Sequence, residues 1–239
     1  MSYKDGKDYL YLIWQDEVSR RQYIVGQLSK NGQYEFCYSN EIEEAQEAGF
    51  KLLVAFNDKS KIYYSDTLFM PFASRLPDGK RKDIKKILHK YGLREYDAYE
   101  LLKASGARLP IDSLKFVDPI LNIDVAFERD FYMAGSRHYL SCHGEKCQAV
   151  TEIDRGDVLL LKREPENEHD KLAIQITTSD NKRVGYVPRY YRDAFLRLME
   201  EGRTLSCYVK RVEKNNCCGE CVLLHVIVDA KSSVKENPS

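Results

Sequence analysis

The stretch Leu161-Lys-Arg-Glu-Pro-Glu-Asn-Glu-His-Asp-Lys-Leu-Ala-Ile174 is the most informative part of this 239-residue sequence. Branched aliphatic residues at its two ends predict strands. Between them, Pro165, Asn167 and Asp170 are residue types that form turns, because proline fixes its own backbone and Asn and Asp side chains bond nearby backbone amides. The simplest interpretation is structural: a capped turn that joins two strands.

The same turn also concentrates groups that suit nucleic acid. A carboxylate among cations and aromatic rings can accept a hydrogen bond from a hydroxyl group, while the cations hold phosphate oxygens. Upstream, Arg137-His138-Tyr139 offers a cation and two rings on which unpaired bases can stack. The candidates in and after the turn are Asn167, His169, Asp170, Lys171, Arg183, Arg189 and Arg192.

Residues 119–230 around this stretch predict a small β-rich domain with one helix. The helix follows Pro188, and its apolar residues recur at helical spacing. A polar segment, residues 231–239, predicts a flexible tail. The strand-like runs are 157–162, 173–177, 183–187, 204–212 and 222–228.

Residues 1–118 predict a separate mixed domain, with its boundary at Asp118-Pro119. Ile84, Ile87 and Leu88 recur at helical spacing while lysines cover the other faces, and a second helix fits residues 95–104. The fold class is therefore α+β with two domains. The strand-like runs of this half are 9–14, 22–28, 33–38 and 51–55, with a helical turn at 41–48.

Composition and charge restrict the class of protein. The chain has 43% hydrophobic and 31% charged residues, which excludes a mostly disordered chain, a fibre and a membrane protein. Its 37 basic and 37 acidic side chains cancel, and neither half is broadly basic. We therefore expect nucleic acid to bind, if at all, at a focused pocket rather than by general phosphate neutralisation.

The N-terminus lacks the basic-then-apolar order of a signal peptide, so we expect a cytoplasmic protein. A reducing compartment argues against a disulfide framework for the seven cysteines. Two short loops nevertheless carry cysteines at spacings that zinc sites use, and the alternative is simply reduced thiols in turns. The zinc candidates are Cys142, Cys147, Cys218 and Cys221.

Enzyme signatures are scarce. The sequence has no Gly-rich phosphate loop, no dinucleotide fingerprint, no zinc-protease helix, no nucleophile elbow and no kinase catalytic loop. We therefore expect a protein that is not an enzyme and needs no cofactor. Carboxylates such as Asp154, Asp157, Glu168 and Asp170 leave a metal-dependent nuclease as a weaker alternative.

The second half resembles the HIRAN domain family. The residues that carry the resemblance are Phe131-Tyr132, Gly135-Ser-Arg-His-Tyr139, the Arg-Glu-Pro-x-Asn-x-x-Asp core at 163–170, and Val184-Gly-Tyr-Val-Pro-Arg189. The resemblance implies a small, partly open β-barrel related to OB folds. In an animal member of the family this domain holds the 3′ end of single-stranded DNA.

The resemblance also implies roles for individual residues. Arg137 and His138 would contact and stack on the terminal bases, followed by Tyr139. Asp170 would accept a hydrogen bond from the terminal 3′-hydroxyl. Asn167 and His169 would line the pocket with Lys171 nearby, and Tyr186 and Arg189 would lie by the backbone phosphates. His138 and His169 replace tyrosines of the animal protein, and Tyr186 replaces a histidine, which leaves the ligand open.

The first half resembles the N-terminal domain of HipA-type toxin kinases. Its carrying residues are Phe72-Ala-Ser-Arg-Leu-Pro-Asp-Gly79, the helices near 84–93 and 97–102, and Gly106-Ala107. In those kinases this segment is a small lobe ahead of the kinase body, whereas here residue 120 begins the second domain. The resemblance implies a bacterial source, no catalytic residue and a scaffold for a protein partner. The basic helix 81–90 would either steer nucleic acid or simply be solvated.

Together these observations predict a non-enzymatic DNA-binding protein that captures single-stranded DNA ends, with the 3′-hydroxyl end favoured. The main alternative is a protein-interaction or regulatory module, for example in a toxin–antitoxin or phage-defence system, and DNA repair is a further setting. Convergence of Arg137, Asp170 and Arg189 on one open cleft would favour DNA. Burial of Asp170 in turn hydrogen bonds would favour the structural interpretation.

Overall fold

A computed structural model describes residues 8–140, 142–143, 146–147, 153–213 and 220–230, with only the backbone at 142–143 and 146–147. The chain divides into two units, Met1–Pro119 and Ile120–Ser239. The predicted tail, residues 231–239, lies outside the described residues. Among the described residues, every helix is too short or too polar to cross a lipid bilayer.

Unit 1 is built on a five-stranded antiparallel sheet in the order β4-β3-β2-β1-β5. The hairpin between β2 and β3 turns at Asn31-Gly32, as the sequence predicts. Its strands are β1 (Tyr9–Gln15), β2 (Gln22–Asn31), β3 (Gln33–Tyr38), β4 (Tyr63–Ser65) and β5 (Leu114–Val117). Its helices are α1 (Ile42–Glu47), α2 (Met70–Ala73), α3 (Ile84–Lys90) and α4 (Ala98–Ser105).

An aromatic core holds unit 1 together. The rings of Phe36 and Phe56 lie 4.4 Å apart, Phe56 stacks on Phe72 at 5.2 Å, and Phe72 meets Phe116 edge-on at 5.0 Å. Each of these four side chains is almost completely buried. Burial of such rings stabilises a fold by about 1.5–3 kcal/mol each, so this stack connects the sheet to α2 and to the 3₁₀ turn that carries Phe56.

The predicted strand at residues 51–55 is wrong. The structure has a 3₁₀ turn, Val54–Phe56, at this place. The Tyr38 hydroxyl accepts a hydrogen bond from the Leu53 amide at 2.9 Å and donates one to the Phe56 carbonyl at 2.7 Å. A side chain from β3 therefore satisfies the backbone groups that a neighbouring strand would otherwise have paired.

Unit 2 is a six-stranded antiparallel sheet that curls into a small barrel with one long helix. The strand order is β11-β10-β9-β12-β13-β6. The predicted fold class, α+β with an OB-like barrel in the second half, is confirmed. The barrel strands are β6 (Phe127–Tyr132), β9 (Val158–Arg163), β10 (Ile174–Thr177), β11 (Arg183–Tyr186), β12 (Leu205–Val212) and β13 (Val222–Val228). The other elements are α5 (Ser136–Tyr139), α6 (Arg189–Glu200), β7 (Cys142–His143) and β8 (Lys146–Cys147).

The two edges of this sheet meet at Ala134 and Tyr186. Ala134 follows β6, and its amide donates to the Tyr186 carbonyl at 2.9 Å, while the Tyr186 amide donates back at 2.8 Å. A Cβ atom on Gly185 would lie 2.5 Å from the Met133 side chain and 2.6 Å from the Ala134 carbonyl oxygen. Only glycine allows the two backbones to approach this closely.

Helix α4 begins with a side-chain cap. The Asp97 carboxylate accepts hydrogen bonds from the Tyr99 amide at 2.7 Å and the Glu100 amide at 3.0 Å, and Gly106 ends the helix as predicted. Such a cap satisfies two of the amides that a helix start leaves unpaired.

We expect Asp97→Ala to lower the free energy of unfolding by about 1 kcal/mol, because it removes the cap. Asp97→Asn keeps an oxygen that can accept from the same amides, so it should cost clearly less. Urea denaturation of the two variants and the wild type measures the difference. Equal losses for both variants would assign the effect to the ion pair with Lys30 instead.

Candidate nucleic-acid interface

The barrel closure sets α5 beside β11. Gly135 has a φ of +73° and turns the chain directly after the Ala134–Tyr186 bridge. The short helix α5 then exposes Arg137 and His138 and leaves Tyr139 half-buried. The Tyr139 ring meets the Tyr186 ring at 5.6 Å, and their hydroxyls lie 3.2 Å apart.

The turn between β9 and β10 is held by its own backbone and by Asn167. The Glu164 amide donates to the Ala173 carbonyl at 2.9 Å, and the Asn167 amide donates to the Glu164 carbonyl at 3.1 Å. Asn167 Oδ1 accepts from the amides of His169 at 3.0 Å and Asp170 at 2.9 Å. Asn167 therefore acts as the capping residue that the sequence pattern predicts.

Five side chains from three separate parts of the sequence form what we call the Glu164 cluster: Tyr139, Glu164, Asn167, Arg183 and Tyr186. Glu164 is its centre and is only 16% exposed. Its carboxylate accepts from Asn167 Nδ2 and from the Tyr186 hydroxyl, both at 2.9 Å, and pairs with the Arg183 guanidinium.

The rest of the cluster is linked through the Tyr186 hydroxyl. This oxygen also accepts from Asn167 Nδ2 at 3.2 Å and from Arg183 Nη1 at 3.1 Å. The Arg183 guanidinium carbon lies 5.6 Å from the Tyr139 ring centre and 5.7 Å from that of Tyr186. The guanidinium is thus held by one carboxylate and two aromatic rings.

Burial alone would raise the pKa of Glu164, but hydrogen bonds from Asn167 and Tyr186 and the charge of Arg183 outweigh it, and the pKa lies below its ordinary value. Burial raises the pKa of Tyr186, and its contacts with Tyr139 and Glu164 raise it further. At neutral pH Glu164 is therefore a carboxylate, Arg183 a guanidinium cation and Tyr186 a neutral phenol.

Asp170 is engaged in the turn and with α6. Its Oδ2 accepts from Arg192 Nη1 at 2.7 Å, and its Oδ1 accepts from the Leu172 amide at 3.0 Å. A carboxylate oxygen can accept two hydrogen bonds, so these contacts leave capacity for a further hydroxyl. These contacts favour the structural interpretation of Asp170, and its contact with a 3′-hydroxyl stays a prediction.

The structure brings together some of the predicted residues more tightly than others. Tyr139, Asn167 and Tyr186 belong to the Glu164 cluster, and Asp170 joins it through the Asn167 cap. Arg189 is half-buried at the first position of α6 and makes none of the cluster contacts described above. Four predicted side chains are exposed and make no side-chain hydrogen bond to any described residue. They are Arg137, His138, His169 and Lys171.

Glu164 is the residue that sequence reasoning missed. It lies between Arg163 and Pro165 in the stretch quoted at the outset, where its proline neighbour signals only a turn. The available signal was an acid directly after β9 and the basic Arg183 in β11. The pairing becomes visible only when both strands are placed beside β10.

Of the four cysteines predicted as zinc ligands, the structure describes the side chain of Cys221 alone. Cys221 is buried with 1% exposure, whereas Cys218 and the side chains of Cys142 and Cys147 lie outside the described residues. Among the described side chains, no group of three His, Cys, Asp or Glu residues is arranged to hold a metal ion. The zinc site stays a prediction.

We expect Glu164→Gln to destabilise unit 2 at pH 7 by about 1–3 kcal/mol, because the amide leaves Arg183 unpaired and turns an NH₂ group toward other donors. The folded-state pKa of Glu164 lies below the unfolded one, so its stabilisation is present at neutral pH. It is lost as the pH falls through the lowered folded-state pKa. The stability difference between wild type and variant should therefore shrink with acidification.

Urea denaturation at several pH values, followed by far-ultraviolet circular dichroism, measures this difference. Other carboxylates titrate in both proteins and cancel in the comparison. A difference that stays constant from pH 7 to pH 3 would show that Glu164 does not carry the charge assigned to it.

Comparison with known proteins agrees with both resemblances. The HIRAN domain family model matches residues 127–229, and the HipA N-terminal domain model matches residues 17–110. No curated protein matches the chain.

Three solved structures that are similar to the chain each cover less than half of it. The HIRAN domain of human HLTF is 20% identical over 45% of this chain and 78% of that chain, with a TM-score of 0.34. A protein from Lactobacillus plantarum is 24% identical over 44% of this chain and 93% of that one, with a TM-score of 0.35. The HLTF HIRAN domain in its DNA-bound conformation is 19% identical over 45% of this chain and 80% of that one, with a TM-score of 0.32. Residues 17–110 are thus similar to HipA N-terminal domains, and residues 127–229 are similar to HIRAN domains.

Proposed function

We propose that unit 2 binds the end of single-stranded DNA, with the 3′-hydroxyl end preferred, and does so without catalysing a reaction. The observation that carries the proposal is the chain of contacts from Tyr139 through Tyr186 to Asn167. It joins three sequence blocks that are far apart along the chain into one polar site. The match to the HIRAN family supports the same class of ligand, since the HLTF domain has a DNA-bound conformation.

The chemistry of the site suits a strand end. Arg137 and Lys171 are exposed cations. Arg137 lies two positions before Tyr139 and Lys171 four positions after Asn167, and their charges can bind phosphate oxygens. His138 and His169 are exposed rings on which unpaired bases can stack. Asp170 retains capacity to accept from a hydroxyl, and a 3′-phosphate would instead bring a second anion to this carboxylate.

The Glu164 cluster would serve as the rigid base of this site. Glu164 fixes the orientation of the Asn167 amide, whose other end caps the turn that carries His169 and Asp170. Since Arg183 is already neutralised by Glu164, the phosphate contacts would fall to the exposed cations. Few cations imply few released counterions, so binding of a short oligonucleotide should depend only weakly on salt.

Fluorescence anisotropy with a short 5′-labelled single strand tests the proposal. We expect tighter binding when the strand ends in a 3′-hydroxyl than in a 3′-phosphate, and weaker binding to a blunt duplex. Binding to neither single strand at low salt would overturn the proposal and favour the protein-interaction alternative. Equal binding to the 3′-hydroxyl and 3′-phosphate strands would support DNA binding but contradict the preference for the hydroxyl.

Two pairs of variants separate direct contact from structural damage. Arg137→Ala should weaken binding about tenfold or more, because a charge-assisted hydrogen bond contributes about 1.5–3 kcal/mol. Arg155→Ala removes an equally exposed arginine of unit 2 and should leave affinity unchanged.

Asp170→Asn should remove the preference for a 3′-hydroxyl over a 3′-phosphate. Arg192→Gln breaks the same ion pair but keeps the Asp170 carboxylate, so the preference should persist. Loss of the preference in both variants would assign Asp170 a purely structural role.

A further inference from the structure

We infer that unit 1 carries a second nucleic-acid surface. This surface binds internal phosphates of single-stranded DNA and does not need a strand end. We call it the basic face. Its members are Lys80, Lys82, Lys85, Lys86, Lys90 and Arg94. This inference stands on unit 1 alone and does not depend on the function proposed for unit 2.

The positive charge of unit 1 is concentrated in one segment. Residues 80–94 contain seven Lys or Arg side chains and a single acid, Asp83. The remainder of residues 1–120 contains 12 basic and 17 acidic side chains. A polyanion therefore meets attraction at this segment and repulsion over the rest of the unit, which orients its approach.

Helix α3 separates charge from apolar residues completely. At 100° per residue, Lys85, His89, Lys86 and Lys90 fall within an arc of about 140°. Ile84, Ile87 and Leu88 occupy the opposite arc and are half-buried or buried, whereas the four polar side chains are exposed. Lys85, Lys86 and Lys90 therefore lie on one side of α3 and face solvent, and Lys80, Lys82 and Arg94 are exposed in the flanking segments.

These charges are not compensated in the part of the chain that the structure describes. Within the segment the ion pair is Arg81 with Asp83 at 2.9 Å, and Lys90 lies 5.2 Å from the Tyr91 ring. No described acidic side chain pairs with a member of the basic face. Three other lysines of unit 1 behave differently, since each of the three has a carboxylate within 3.0 Å. These pairs are Lys30–Asp97, Lys59–Glu43 and Lys103–Asp8.

The chemistry of the basic face favours a phosphate polymer over a membrane or a protein. The large apolar side chains of residues 80–94 pack inward, so α3 offers no free apolar face to insert into a bilayer. Protein interfaces are depleted in lysine and rich in aromatic anchors, the reverse of this surface. Lysine ammonium groups bind phosphates as point charges and need no fixed partner geometry.

The number of exposed lysines sets the expected salt dependence of DNA affinity. Lys85, Lys86 and Lys90 are all exposed, and each can neutralise one phosphate. Each phosphate neutralised on a single strand contributes about 0.7 to the slope of log affinity against log salt concentration. Removal of three lysines should therefore lower that slope by about 2.

Circular single-stranded DNA is the appropriate probe because it has no ends. We expect the 239-residue chain to bind it with a steep salt dependence. The triple variant Lys85→Gln, Lys86→Gln, Lys90→Gln should bind more weakly, with its slope reduced by about 2. The matched control Lys51→Gln, Lys59→Gln, Lys61→Gln changes net charge equally on the same unit and should keep the wild-type slope.

The outcomes separate the two sites. Arg137→Ala should leave binding of circular DNA intact even though it weakens binding of strand ends. Equal slopes for the two triple variants would overturn the inference. Tighter binding to phosphatidylserine vesicles than to circular DNA at equal salt would assign the surface to membranes instead. Competition by polyglutamate as effective per charge as by DNA would assign it to an acidic protein.

Discussion

The structure of unit 2 depends on a close approach of two backbones. Ala134 and Tyr186 exchange two hydrogen bonds, and this exchange is sterically possible because Gly185 has no Cβ to collide with Met133. The contact turns an open sheet into a barrel. It also brings α5, which follows Ala134, next to the turn that follows β9. The polar site is therefore a product of barrel closure rather than of any one segment.

Electrostatics then sorts the cations of unit 2 into two kinds. Arg183 pairs with Glu164, and Arg192 pairs with Asp170. These ion pairs neutralise both arginines and stabilise the turn. Arg137 and Lys171 are exposed, and neither side chain hydrogen-bonds to a described residue. The same loop thus supplies both the fixed framework and the groups available to a ligand. Residues can serve structure and binding together, which is why Asp170 is ambiguous from sequence.

Much of this arrangement follows from local sequence patterns. The Asn31-Gly32 hairpin, the Asn167 cap and the end of α4 at Gly106 each depend on residues a few positions apart. The failures are contacts at long range. Residues 51–55 look like a strand, but Tyr38, 15 positions before Leu53, satisfies their backbone. Glu164 was missed because its partners Arg183 and Tyr186 are 19 and 22 positions away.

The double role of Tyr186 couples ligand occupancy to folding. Its backbone closes the barrel, and its hydroxyl lies at the centre of the polar site. Any molecule that binds this side chain only in its closed arrangement must, by mass action, shift the equilibrium toward the closed barrel. Thermodynamic linkage of this kind makes resistance of unit 2 to heat or protease a measure of site occupancy. A ligand of unknown chemistry could then be detected through stability before any assay for it exists.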